Sequence, residues 1–232
     1  AVTAASQIID ALEGELVQNA INVPSVEATA YPRIRQYVDI AETASTIAMR
    51  LFEGRIEEIE ITYAGDIADE DLDLVTAAVF KPYGWQDQVV NAPSRIADRR
   101  GIDVTESRRR ETKDYRSLVS ITVGNGADSL TVSGTLFAGE EPRIVEIDGF
   151  RVDAEPYGHM LVSRNTDEPG VIGFIGRVFG EHDVNIASMA NAREKIDGEA
   201  LTVYNLDDPI TDAVIEALLD DDRIVSTTPI EL

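Results

Sequence analysis

The stretch from His159 to Arg193, HMLVSRNTDEPGVIGFIGRVFGEHDVNIASMANAR, constrains the fold of this chain more than any other. Met160, Leu161 and Val162 form a short apolar run that stops at the turn-forming group Asn165-Thr166-Asp167-Glu168-Pro169-Gly170. Pro has no N–H to lose at a first helical turn, and acidic residues just before it suit the positive end of the helix dipole. The pattern therefore predicts a strand entering a helix start. Val171, Ile172, Ile175, Val178 and Phe179 recur at offsets zero, one, four, seven and eight, which predicts one apolar helix face ending at Gly180. A second strand is expected over 184–190 with Asn185 at its start, a third over 199–206 after the turn Asp197-Gly198, and a second helix over 212–219. A last strand over 224–230 completes the order β-α-β-β-α-β, the split or ferredoxin-like arrangement.

The residues NTDEPGVIGFIGRVFGEHDVNIASM closely resemble the signature of an ACT domain, a small regulatory module that binds free amino acids. The spacing from DEPGVIG to VNIASM is similar to that of the ACT domain at the C-terminus of D-3-phosphoglycerate dehydrogenases. The preceding part fits the same resemblance. VVNAPSRIADRRGI, LTVSGTLF and PRIVEIDGF resemble the intervening, or allosteric substrate-binding, domain of the longer family members. The start, AVTAASQIIDALEGELVQNAINVP, is similar to the last helix and exit segment of their nucleotide-binding domain. The expected organisation is thus a nucleotide-domain remnant and linker over 1–26, a mixed α/β intervening domain over 27–154 and an ACT domain over 155–232. The fold class is α+β.

Between the linker and the ACT-like stretch, helical spacing runs from Pro32 to a stop at Gly54, and IEEIEITY (56–63) alternates apolar and acidic residues as a half-buried strand does. A helix is expected after Asp69-Glu70-Asp71, a turn at Lys81-Pro82-Tyr83-Gly84-Trp85 and a further helix over 89–100. Strands are expected over 102–106, 117–123, 129–136 and 143–147. Asp148-Gly149 predicts a two-residue hairpin into a strand over 150–154.

Composition narrows the partners. The chain carries 43 acidic against 20 basic residues, a formal charge of −23, and such a surface repels phosphate backbones and anionic lipid. No nucleic-acid or membrane partner is therefore expected. Lysine is confined to Lys81, Lys113 and Lys195, and an acidic, Lys-poor chain with clear apolar periodicity suits high salt, which screens its self-repulsion. Cys is absent, which removes disulfides, thiolate catalysis and Cys-ligated metal; no metal site is expected. The start lacks a basic leader with an apolar core, so a cytoplasmic location is expected, and a first residue of Ala rather than Met suits a piece of a longer chain.

No catalytic constellation is expected. Gly124-Asn125-Gly126 lacks the third Gly of a dinucleotide-binding turn and predicts a hairpin, while His159 and His182 have no motif partner. The resemblance implies that the catalytic His and the NAD site of the parent enzyme lie before this segment, which itself needs no cofactor. An amino-acid effector is a zwitterion, so its site must offer acceptors to the ammonium and donors to the carboxylate. Asp167 is a candidate acceptor, Asn165 and Asn185 can donate and accept, and the amides near Gly170 and Val171 at the helix start suit a carboxylate. Helix capping is an equally open use of Asn165 and Asp167. The resemblance implies that Asn165, Asp167 and Asn185 hold L-serine or a related amino acid across an ACT–ACT interface. Two of them depart from the family pattern, which often has His at the first position and Asn at the second. It also implies a homodimer or homotetramer through the ACT and intervening domains, and an anion site near Arg143 and Arg151. Arg95, Arg99, Arg100, Arg108, Arg109 and Arg110 form the remaining basic cluster, expected to be a solvated face. A free-standing amino-acid sensor and the beta chain of an iron-sulfur L-serine dehydratase are the alternatives.

Overall fold

The structure is a computed structural model that describes residues 31–83, 101–112, 114–195 and 198–232. The expected remnant over 1–26, the helix over 89–100, and Arg95, Arg99, Arg100 and Asp197 lie outside the described residues.

Two sheets carry the fold. The first has six strands: β1 (Glu58–Gly65), β2 (Asp103–Arg109), β3 (Ser117–Gly124), β4 (Ser129–Phe137), β5 (Glu141–Ile147) and β6 (Phe150–Ala154), in the order β2-β1-β3-β4-β5-β6. All neighbours are antiparallel except β1 and β2, which run parallel. Helix α1 (Tyr31–Leu51) lies across this sheet, burying Ile34, Ile40, Ala41, Ala44, Ile47 and Ala48. It approaches so closely that a Cβ on Gly134 of β4 would come within 2.6 Å of Ile40 Cγ2. The short helix α2 (Asp73–Val79) packs on α1, and Ser45 Oγ donates 2.6 Å to the Val79 carbonyl. In β1 the acidic alternation works as read: Ile59 and Ile61 are buried while Glu58 and Glu60 face water. Asp148 and Gly149 both take positive φ, 49° and 83°, the left-handed pair that a tight hairpin requires.

The second sheet contains β7 (His159–Thr166), β8 (Ile186–Arg193), β9 (Glu199–Leu206) and β10 (Ile224–Glu231), in the order β10-β7-β9-β8 and antiparallel throughout. Helices α3 (Val171–Glu181) and α4 (Asp212–Leu219) connect β7 to β8 and β9 to β10, so the element order is βαββαβ. Val171, Ile175, Val178 and Phe179 of α3, with Val214 and Leu218 of α4, cover Leu161, Tyr204 and Leu206 on one sheet face. Ile172, read as part of the apolar face, is 47% exposed. It lies about 100° around the helix from Val171, beyond the reach of the sheet. No described helix is long and apolar enough to cross a membrane.

The opposite face of this sheet belongs to the first unit. Met160, Val162, Leu201, Val203 and Ile230 fall in one continuous core with Ile34, Ile40, Ile61 and Val132. The connecting segment 155–158 is held by Asn205, only 1% exposed, whose Nδ2 donates to the carbonyls of Glu155 (2.9 Å) and Tyr157 (3.1 Å). Arg164 on β7 completes the junction, pairing with Asp148 in the β5–β6 turn and lying 5.7 Å over the Phe150 ring.

Candidate functional site

Strand β7 extends through Asn165 and Thr166, which the turn-forming composition had assigned to the loop. Long-range pairing overrides local propensity: Asn165 is bracketed by Ile224 on β10 and Ala200 on β9. Its side chain is 5% exposed, and Nδ2 donates 2.6 Å to the Thr166 carbonyl. Asp167 begins the loop proper. Its backbone N–H donates 2.9 Å to the Gly198 carbonyl, and Oδ2 accepts from Arg193 Nη1 at 3.0 Å. These bonds go elsewhere than the helix start, so neither side chain caps α3. The residue before the helix is Gly170 at φ 94°, a left-handed value that favours glycine, and Val171 behind it is buried.

Around this loop the strand ends supply cations that sequence reasoning missed. Arg193, the last residue of β8, pairs with Asp167, and Arg223 just before β10 reaches over Gly170, its Nη1 3.7 Å from where a Cβ would stand. Arg223 makes a two-pronged contact with Asp221 at 2.8 Å and 2.6 Å. Those hydrogen bonds, with one from the Arg223 backbone N–H, hold the Asp221 carboxyl below the usual carboxylate range, at about 2. Only the position of Arg193 at the end of the strand that returns beside the loop could have signalled its role.

Asn185 lies elsewhere. It precedes β8, and the register sets Ile186 against Leu206 and Leu206 against His159, at the start of β7. Asn165 is at the other end of β7, on the order of 20 Å away along the strand. Asn185 Nδ2 donates 2.6 Å to Asp207 Oδ2. One chain therefore brings Asn165, Asp167, Gly170 and Val171 together and leaves Asn185 at the opposite end of the same sheet.

The two anion candidates are held by carboxylates. Arg143 lies 2.9–3.3 Å from Glu141, Asp153 and Glu155, its side chain 17% exposed, while Arg151 points to solvent 3.4 Å from Asp114. In the basic cluster Arg108 donates to Glu106 and to the Glu70 carbonyl, and Arg110 pairs with Asp69, a solvated face with its counter-charges beside it. His182 Nδ1 lies 2.8 Å from the Val178 carbonyl at the end of α3, and His159 starts β7.

The molecule is thus an α+β protein in which a six-stranded mixed sheet and a four-stranded βαββαβ sheet share one core. Residues 33–148 match the D-3-phosphoglycerate dehydrogenase intervening domain, and the chain belongs to that family. It is 32% identical over 234 residues to D-3-phosphoglycerate dehydrogenase from Archaeoglobus fulgidus, covering 98% of this chain and 44% of that protein. It is 29% identical over 236 residues to D-3-phosphoglycerate dehydrogenase from Bacillus subtilis, covering 100% of this chain and 45% of that one. The enzyme of the same name from Mycobacterium tuberculosis is 28% identical over 216 residues, 90% of this chain and 40% of its own length. The chain spans less than half the length of these curated relatives.

Proposed function

We propose that this chain is the regulatory portion of a D-3-phosphoglycerate dehydrogenase acting in serine biosynthesis. Its βαββαβ unit works as an ACT domain that binds L-serine or a related amino acid between two copies. The observation that carries this reading is the separation of Asn185 from Asn165 and Asp167 along one sheet. A two-fold pairing of two such units sets the Asp167 end of one copy against the Asn185 end of the other, so each site draws on both. Edge pairing would also cover the free edge of β8. In this arrangement Asp167 meets the ammonium once Arg193 turns aside, Asn185 bonds the effector from across the interface, and the amides at Gly170 and Val171 take the carboxylate. Effector and subunit arrangement are then linked: what binds the interface favours the arrangement that forms it.

On this reading the chain alone turns over nothing, and incubation with 3-phosphoglycerate and NAD produces no NADH. Calorimetry over a range of salt concentrations tests the effector assignment. L-Serine is expected to bind, with affinity lost in Asp167→Ala and in Asn185→Ala; absence of heat at every salt concentration removes serine from the proposal.

A further inference from the structure

We propose that a pocket at the junction of the two units binds an aliphatic α-amino acid, separately from the interface site. It lies where the last turn of α1, the start of β7, the end of β10 and the loop between β9 and α4 meet, and its volume is ≈ 220 Å³. Pro209, Ile210 and Pro229 give it accessible apolar walls, over a floor where the buried Met160, Leu206 and Ile230 come to the surface. That size suits a small metabolite; pockets for drug-sized ligands start at about 300 Å³. Pro209 and Pro229 border it with fixed backbone φ.

Charge decides the ligand class. Arg50, His159 and Glu231 surround the apolar walls. Glu231 and Leu206 both stand opposite His159 in the sheet register, so anion, imidazole and apolar wall are neighbours across three strands. Most described arginines of this acidic chain have a carboxylate within ion-pairing distance, including Arg33, Arg116, Arg143, Arg164 and Arg193. Arg50 has none among the described residues, although the chain carries more than twice as many acidic as basic side chains. A guanidinium for a carboxylate, a carboxylate for an ammonium and an apolar recess between them match a zwitterion with an aliphatic side chain. The polar rim orients the ligand, and Pro209, Ile210 and Pro229 offer the apolar surface its side chain lies against. Because its walls come from both units, an occupied pocket ties α1 to the second sheet. The inference does not depend on the interface reading.

The test is calorimetry and two-dimensional amide NMR on the full chain, with L-leucine, 4-methylpentanoate and 3-methylbutylamine as probes. L-Leucine is expected to bind and to shift the amides of Arg50, His159, Ile210 and Glu231. Each probe lacking one charge, and each of Arg50→Gln and Glu231→Gln, should bind about tenfold more weakly. Asp167→Ala should leave L-leucine affinity unchanged, which separates this pocket from the interface site. Three results would each overturn the proposal: no L-leucine binding by unmodified chain, shifts confined to the neighbourhood of Asp167 and Asn185, or 4-methylpentanoate binding as tightly as L-leucine. Both substituted side chains are solvent-exposed, so circular dichroism matching the unmodified chain will establish that the variants fold.

Discussion

The two faces of the four-stranded sheet meet the same demand for burial in different ways. On one face, α3 and α4 close a core made only from the βαββαβ unit, with Phe179 set edge-on against Tyr204 at 5.4 Å. On the other, Met160, Val162, Leu201, Val203 and Ile230 are covered by the first unit and belong to its core. The difference teaches that the units are separable in sequence but not in packing. A perturbation on the helix face stays local, whereas one on the junction face reaches both sheets.

Two truncations test that contrast. Phe179 is 1% exposed, and Phe179→Ala is expected to cost about 3–5 kcal/mol. Hydrogen exchange should then rise in α3 and α4 while the amides of β3 and β4 keep their protection. Leu201, fully buried at the junction, should cost about 2–5 kcal/mol on truncation to Ala, with protection lost in both sheets together. Loss confined to the second sheet in Leu201→Ala would break the comparison.

A smaller change sharpens it from the first unit. Gly134→Ala places a methyl within 2.6 Å of Ile40 Cγ2, and overpacking of this kind typically costs about 1–3 kcal/mol. Ile40→Ala removes the crowded Cγ2, so the double variant Gly134→Ala with Ile40→Ala should lose less in chemical denaturation than the sum of the two single losses.

Much of the fold was legible because the local patterns agree with the tertiary ones. The alternation in IEEIEITY is met by a strand that buries Ile59 and Ile61, the spacing in DAVIEALL by a helix that buries Val214 and Leu218, and Asp148-Gly149 specifies its turn without help. Legibility failed where distant chain decided the outcome. Asn165 and Thr166 look like a loop until β9 and β10 pair with them. The parallel pairing of β1 and β2 leaves no trace in either strand, since it depends on the crossover between them. At the candidate site the motif identified Asn165, Asp167, Gly170 and Asn185 but said nothing of the ends they occupy. Arg193 was invisible because its partner Asp167 is set by strand return, and Arg223, although paired locally with Asp221, because its place over Gly170 depends on where β10 begins.

The smallest expected effect is a pH dependence on the helix side. Arg223 holds the Asp221 carboxyl at about 2, so the pair contributes stability above the usual carboxylate range and loses it as pH falls towards about 2. Asp221→Asn should therefore lower Tm near neutral pH, with the difference shrinking on acidification until the two chains melt alike. A difference that grows on acidification would contradict this sign.

The central claim is that each effector site is shared between two copies, and complementation by mixed variants tests it most directly. Asp167→Ala and Asn185→Ala chains, each silent alone, are unfolded together, refolded as a mixture and titrated with L-serine. The shared site predicts that mixed dimers regain one intact site each, about a quarter of the unmodified capacity for random pairing. A mixture as silent as its components would contradict the claim, because it would place Asp167 and Asn185 in service of the same chain or of no common site.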